Sequence, residues 1–367
     1  MRRKRAPLFH LSRCLRGIVP PKGTDWLPII ELANKSLITP QLEILTRRDS
    51  EEIPNDLKNF LEEIYSRNIA RNNHLASQLI EAVSALNSVK IVPTLLKGTA
   101  LLAAAYPSEF GHRILADLDL LVEPSEVGIA LECLLRLGYR IDSGSPDNPD
   151  IHFVALGRNE DVGQIDLHRN LPGPESFYRG LGPISSHCKT MALKDARVRC
   201  PSATYQALVL ICHDQFHDGD YRTARVDLRH LFDLHALSTS AEGVDWQVIS
   251  SISTNSFVRN AVSTHILTMQ ALLGTSIPPE FNRHFVARFQ SWRRLQQINK
   301  PGLRHILSAI ALLLDCPGYL KFRSRSGLYL KDGSEKESGT TTAPTWAGLK
   351  SMFLNSYMRD DVTVAKL

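Results

Sequence analysis

The stretch Thr94 to Val122, TLLKGTALLAAAYPSEFGHRILADLDLLV, decides how this chain reads. An apolar strand, Ile91 to Leu96, breaks at Lys97-Gly98 into a helix of small residues, Thr99 to Ala105. A loop bearing Arg113 leads to a second strand, Leu118 to Val122, with Asp117 and Asp119 at its mouth. Side chains alternate across a strand, so residues two apart point the same way. Both carboxylates therefore face one side, where they repel unless a proton or a metal neutralises them. Magnesium suits such a pair, because it takes one or two carboxylates and completes its shell with water and substrate phosphates. The turn at Gly98 offers backbone N–H groups at a helix N-terminus, an anion site, and Lys97 and Arg113 add positive charge beside it. A triphosphate is the expected partner, with Lys97, Gly98, Thr99 and Arg113 as its contacts. The bland alternative is a strand end with two solvated acids, a surface Lys97, and an Arg113 that only pairs with Asp117.

Leu96-Lys97-Gly98, Tyr106, Arg113, the run Asp117 to Val122, Ala130, Leu134 and Gly138-Tyr139 together form a pattern. It resembles the bacterial nucleotidyltransferase-fold proteins of the DNA polymerase β superfamily, and among them the uncharacterised nucleotidyltransferase family proteins. The resemblance implies an α/β (α+β) fold, a mixed sheet flanked by N-terminal and C-terminal helical regions. It also implies two Mg²⁺ ions, with Mn²⁺ as a substitute, and transfer of a nucleoside monophosphate from an NTP to an acceptor. A third acid is implied on a later strand. Asp166 in VGQIDLHRN, Val162 to Asn170, fills that place, and Asp166-Leu167-His168 matches the acid, apolar, His order of the resembling proteins. The metal ligands expected are thus Asp117, Asp119 and Asp166. This chain has Lys97-Gly98 where superfamily members with proven transfer usually carry Gly-Ser. A second reading therefore stands beside the first: a non-catalytic nucleotide- or RNA-binding module that keeps the fold. The acceptor, whether small molecule, protein or RNA, is not legible.

The chain's 367 residues are enough for a sizeable core. Apolar content of 43% and charged content of 22% are those of a globular protein. The net charge of +5 permits a nucleic-acid partner without arguing for one. Cys14, Cys133, Cys188, Cys200, Cys212 and Cys316 show no C-x-x-C spacing, which suits free thiols in a reducing, cytoplasmic setting. No apolar run approaches the ~18 residues of a membrane helix.

Residues 1–23 carry Arg2, Arg3, Lys4, Arg5, Arg13, Arg16 and Lys22 without an acid, and read as a basic flexible arm. A helical region is expected over 24–88, its longest helix running from about Asn55 to Leu86 on three-four periodicity. The transferase sheet is expected over 89–200, including a helix from Ser125 to Leu137 ended by Gly138, and a hairpin that delivers Asp166. Helices then fill 201–326, among them Ala203 to His217, Val226 to Ser238 and Trp246 to Leu273. Residues 327–367 read as a largely flexible tail. His213 and His217 in CHDQFHD have the four-residue spacing of zinc ligands, but Asp214 stands where a metalloprotease needs Glu, and the sequence offers no third ligand. These two, with His168 on the Asp166 strand, are expected at the cleft between sheet and helices. Arg229 and Asp233, four apart on one helix, read either as an ion pair or as further cleft residues.

Overall fold

The computed structural model describes residues 7–326 apart from 48–51, 106–108, 145–152, 175–176, 179 and 254. Helices α1 (Pro7–Leu15), α2 (Leu27–Lys35) and α3 (Asn55–Ser88) precede the sheet. Strand β1 (Thr94–Leu95), helix α4 (Lys97–Ala104), strand β2 (Asp117–Leu121), helix α5 (Val127–Arg136) and strands β3 (Arg140–Ser143), β4 (Phe153–Gly157) and β5 (Gln164–His168) follow. A hairpin of β6 (Cys188–Leu193) and β7 (Ala196–Pro201) completes the sheet. Seven α-helices and a π-helical turn come after it among the described residues: α6 (Ala203–Cys212), the π-helical turn (His213–His217), α7 (Asp220–Thr223), α8 (Leu228–Thr239), α9 (Trp246–Ser251), α10 (Ser256–Leu273), α11 (Phe285–Asn299) and α12 (Arg304–Ser326). The fold is α+β, a mixed seven-stranded sheet with helices at both ends of the chain.

Strand order is β3-β4-β5-β2-β1-β7-β6. The pairs β2/β5 and β1/β7 are parallel and the rest antiparallel. Alternation sends Leu118 and Leu120 to the buried face, where they meet Leu75, Leu79 and Val83 of α3 and Ala130 and Leu134 of α5. Asp117 and Asp119 are left on the opposite face. Strand β1 is shorter than the apolar run Ile91 to Leu96 suggests. Pro93 lacks an N–H for the ladder, its carbonyl instead accepting from Arg199, and the helix begins at Lys97.

A second core joins both ends of the chain. Leu57 and Leu61 of α3 pack with Leu8, Leu11, Ile29, Ala207, Leu231 and Val262. The basic flexible arm is accordingly corrected over its described part. Leu8, Leu11, Cys14 and Leu15 are buried along one face of α1, and the Ser12 hydroxyl donates to the Leu272 carbonyl. The apolar residues recur at three and four, a helical stripe that buries one face while Arg13 stays only partly buried on another. Leu11→Ala is expected to cost about 2–5 kcal/mol in a denaturant melt, because the side chain is wholly buried.

Two further differences are local. The expected helix Trp246 to Leu273 is broken after Ser251 and restarts at Ser256, where the Asn255 side chain accepts from the Val258 N–H. The β6/β7 hairpin adds strands to the expected sheet region. Residues 327–367, read as a tail, lie outside the described residues, as do Tyr106 and most of the loop after Asp142. Among the described residues no helix is long and apolar enough to cross a membrane.

Candidate active site

Asp119 sits opposite Asp166 in the parallel β2/β5 ladder, Asp117 opposite Gln164, and Leu121 opposite His168. Period-two alternation therefore brings Asp117, Asp119, Asp166 and His168 to one face, as the sequence suggests. Facing ligand atoms of Asp119, Asp166 and His168 all lie within 4.8 Å of one another, close enough to hold a metal ion. A cleft of about 300 Å³ opens over them, with Lys97, Gly98 and Arg113 on one side and His213, His217, Asp218, Arg229 and His230 on another.

Asp119 is the most constrained of the acids. It is 2% exposed. Its Oδ1 accepts from Lys97 Nζ at 2.8 Å and from His168 Nε2 at 2.9 Å, and its backbone N–H donates to Thr99 Oγ1 at 2.8 Å. Burial pushes the carboxyl up, but Lys97 and His168 outweigh burial and hold it well below the carboxylate range. Burial lowers His168 more than Asp119 raises it, so the ring is neutral and donates from Nε2. Lys97 loses affinity for its proton through burial, yet Asp119, Asp117 and Asp166 together keep its pKa raised. Asp166 is pushed up to about 7, by burial first and then by Asp119 and Asp117.

The turn into α4 is built around this ion pair. Lys97 has φ +46°, a left-handed conformation uncommon outside glycine, and its ammonium is thereby returned to β2. Gly98 is needed for close approach: a Cβ there would run into the Arg113 guanidinium and Leu115. Thr99, expected at the nucleotide, is fully buried and holds the Asp119 backbone instead. Its own N–H, with that of Ala100, turns back on the Leu96 carbonyl. Thr99 is therefore a positioning residue for the Asp119 strand, a correction that follows from a short side chain reaching inward to the neighbouring strand.

Arg113 and Asp233 also differ from the sequence reading. Arg113 binds Asp233 through Nε (2.8 and 3.0 Å) and Nη2 (2.8 Å), so Asp233 is not the partner of Arg229. Helical spacing allowed the Arg229 pair, but the buried guanidinium reaching across from the α4 loop takes the carboxylate first. The loop holding Arg113 is clamped from α3: Asn68 Nδ2 donates to the Gly111 and Arg113 carbonyls, and Asn72 Nδ2 to those of Phe110 and Arg113. These asparagines lie inside a long helix, where sequence alone gives them no partner.

On the helical side, His213 and His217 stack with centroids 5.4 Å apart. Asp218 joins them within ligand distance, supplying the third group that the sequence did not offer. Asp214 is wholly buried and its Oδ1 meets His230 Nδ1 at 2.8 Å. Burial opposes the charge on His230, but Asp227 and Asp214 raise its pKa above the ordinary value. His230 and Asp218 were not singled out from sequence. The one signal for His230 is its place beside Arg229, at the start of a helix that faces the cleft.

Searches of the curated proteins and of solved structures return no match. A family model described as uncharacterised nucleotidyltransferase matches residues 22–274. Nucleotidyltransferases act on a nucleotide and generally use divalent metals, and the acidic cleft offers groups that could bind one. The matched span contains every residue named above as lining the cleft, and the chain belongs to this nucleotidyltransferase family.

Proposed function

We propose that this protein transfers a nucleoside monophosphate from an NTP to an acceptor hydroxyl, with Asp117, Asp119 and Asp166 as ligands of two Mg²⁺ ions. The observation that carries the reading is the parallel register that seats Asp119 beside Asp166 under a polar cleft. Asp166 supports the fit. Burial and its acidic neighbours push it up to about 7, so the cleft concentrates more carboxylate than it can keep ionised without a cation. Magnesium, when bound, supplies Lewis acidity that lowers the pKa of an acceptor hydroxyl and neutralises the departing pyrophosphate.

The chain's own residues do the rest. His168, Thr99 and Lys97 fix Asp119 in place, so its charge is aimed before substrate arrives. Lys97 stands among three carboxylates and brings positive charge to the phosphates on a flexible stem. Gly98 lets the Arg113 guanidinium pack directly against the turn at the edge of the cleft. Arg229, His213 and His217 line the opposite wall, where Arg229 meets phosphate charge.

The protonation of Asp166 makes metal binding depend on pH. Its raised pKa favours the neutral carboxyl in the metal-free fold. That contribution to stability is fully present below the ordinary carboxylate range and is lost as pH rises through about 7. A divalent ion must displace the proton, so Mg²⁺ is expected to raise the melting temperature more at pH 8 than at pH 6. Thermal melts with and without the ion check this; a larger shift at pH 6 counts against Asp166 as a ligand.

The deciding experiment supplies purified protein with Mg²⁺, a cell extract as acceptor pool, and each NTP labelled on the α- or γ-phosphate. Label from the α position on a product, absent with Asp119→Asn, is the expected result. Label from γ alone means phosphoryl transfer and overturns the reading. Lys97 already neutralises Asp119 at 2.8 Å, and this favours a second reading, a nucleotide-binding member without turnover. Nucleotide bound with no pyrophosphate released identifies it.

A further inference from the structure

The helical wall of the acidic cleft carries a second set of groups with metal-ligand chemistry. One ligand atom each from His213, His217 and Asp218 lies within 4.8 Å of the other two. The π-helical turn is what brings them together. In an α-helix the residue five positions on stands about 140° around the axis from the first. Here the Asp218 N–H donates to the His213 carbonyl at 2.9 Å, which closes the turn one residue late, so the fourth and fifth residues come round to flank the first. The His213 and His217 rings stack, and Asp218 Oδ2 stands 3.6 Å from His213 Nδ1. Two atoms bound to one tetrahedral zinc are about 3.4 Å apart, so this spacing needs little adjustment. Both backbone groups of Asp218 are engaged, the N–H by His213 and the carbonyl by Arg225 Nη2 at 2.9 Å, and its carboxylate is thereby placed before any ion arrives.

We infer that His213, His217 and Asp218 form a zinc site on the helical wall, separate from the magnesium site proposed for Asp117, Asp119 and Asp166 in the same cleft. The inference does not depend on nucleotidyl transfer. Two imidazoles and one carboxylate suit zinc, whereas magnesium takes oxygen ligands. Three protein ligands leave a fourth position for water or a substrate oxygen, and all three residues line the cleft from which either would come. His217 is exposed and Asp218 only partly buried, so an ion can reach them. The neighbouring set of His213, Asp214 and His230 is also within ligand distance, but Asp214 is wholly buried and its Oδ1 already meets His230 Nδ1 at 2.8 Å. An ion at His213 Nδ1 displaces only a longer contact to that same oxygen, 3.3 Å.

The test is a titration of Zn²⁺ against a competing chelator, in excess Mg²⁺, with the full chain and with His217→Ala, Asp218→Asn and Asp166→Asn. Wild-type protein is expected to bind Zn²⁺ in a form that Mg²⁺ does not displace. The tightest equivalent should weaken at least about 100-fold in His217→Ala, because losing a ligand exceeds the roughly 10–100-fold loss typical of an outer-shell partner. Asp218→Asn keeps both backbone contacts and should weaken it at least about tenfold. Asp166→Asn, which alters the acidic cluster instead, should leave it unchanged. His217 is exposed, so the metal-free His217→Ala protein should melt with wild type and report an intact fold. If wild type retains no zinc against Mg²⁺, if either helical-wall variant binds it as tightly as wild type, or if Asp166→Asn weakens it as much as they do, the site is overturned.

Discussion

Asp119→Asn is expected to lower nucleotidyl transfer on the order of 10³-fold, since losing several kcal/mol of transition-state charge stabilisation has that effect on a rate. The same variant is expected to be less stable. Asn preserves the shape of the side chain and an oxygen for His168 and Lys97, but removes the charge that balances a lysine whose side chain is 12% exposed. Deleting one member of a buried pair costs about 3–5 kcal/mol, and Asp117 and Asp166 near Lys97 place this case toward the lower end. Lys97→Met in the Asp119→Asn background separates the two effects. Stability measured by urea denaturation should largely return, because no uncompensated ammonium remains, while activity should not. An Asp119→Asn protein that transfers at the wild-type rate would sink the assignment of this carboxylate.

The second large effect belongs to the Arg113 and Asp233 pair, which ties the loop behind α4 to α8 with three contacts of 2.8–3.0 Å. Burial alone would favour a neutral Arg113, but Asp233, with Asp227 and Asp117 further off, more than restores the charge. Asp233→Asn leaves the buried guanidinium without its carboxylate and should cost about 3–5 kcal/mol. It should also weaken NTP binding, since the guanidinium packs directly on Gly98 and cannot relax without disturbing that turn. Arg113→Met with Asp233→Leu should recover most of the stability, because two apolar side chains replace two desolvated charges. A double-mutant cycle with no coupling energy would show that the pair does not hold these elements together.

The acids of β2 were legible because their signal is local. Two carboxylates at i and i+2 before an apolar run fix both the element and the shared face, and the same rule picks out Asp166 and His168 on β5. That Asp119 would stand next to Asp166 was not local. The parallel pairing of residues 47 apart sets it, and here the resemblance, not periodicity, supplied the expectation. The stripe of α1 was equally available, with Leu8, Leu11 and Leu15 at helical spacing, but the surrounding arginines drew the reading toward a solvated arm.

Partners are what the sequence left open. Thr99 could have met phosphate and instead accepts from the Asp119 backbone; Asp233 could have met Arg229 and instead holds Arg113. The sequence by itself determined that α3, β2, α5 and β5 form and which face of β2 is acidic, because those follow from a period of 2 or 3.6 along neighbouring residues. Only the tertiary structure decided which charge each buried ion faces and which amide of α3 clamps the Arg113 loop. Such pairings depend on how far each group is removed from water and on what lies across the chain, and neither quantity is a property of neighbours in sequence.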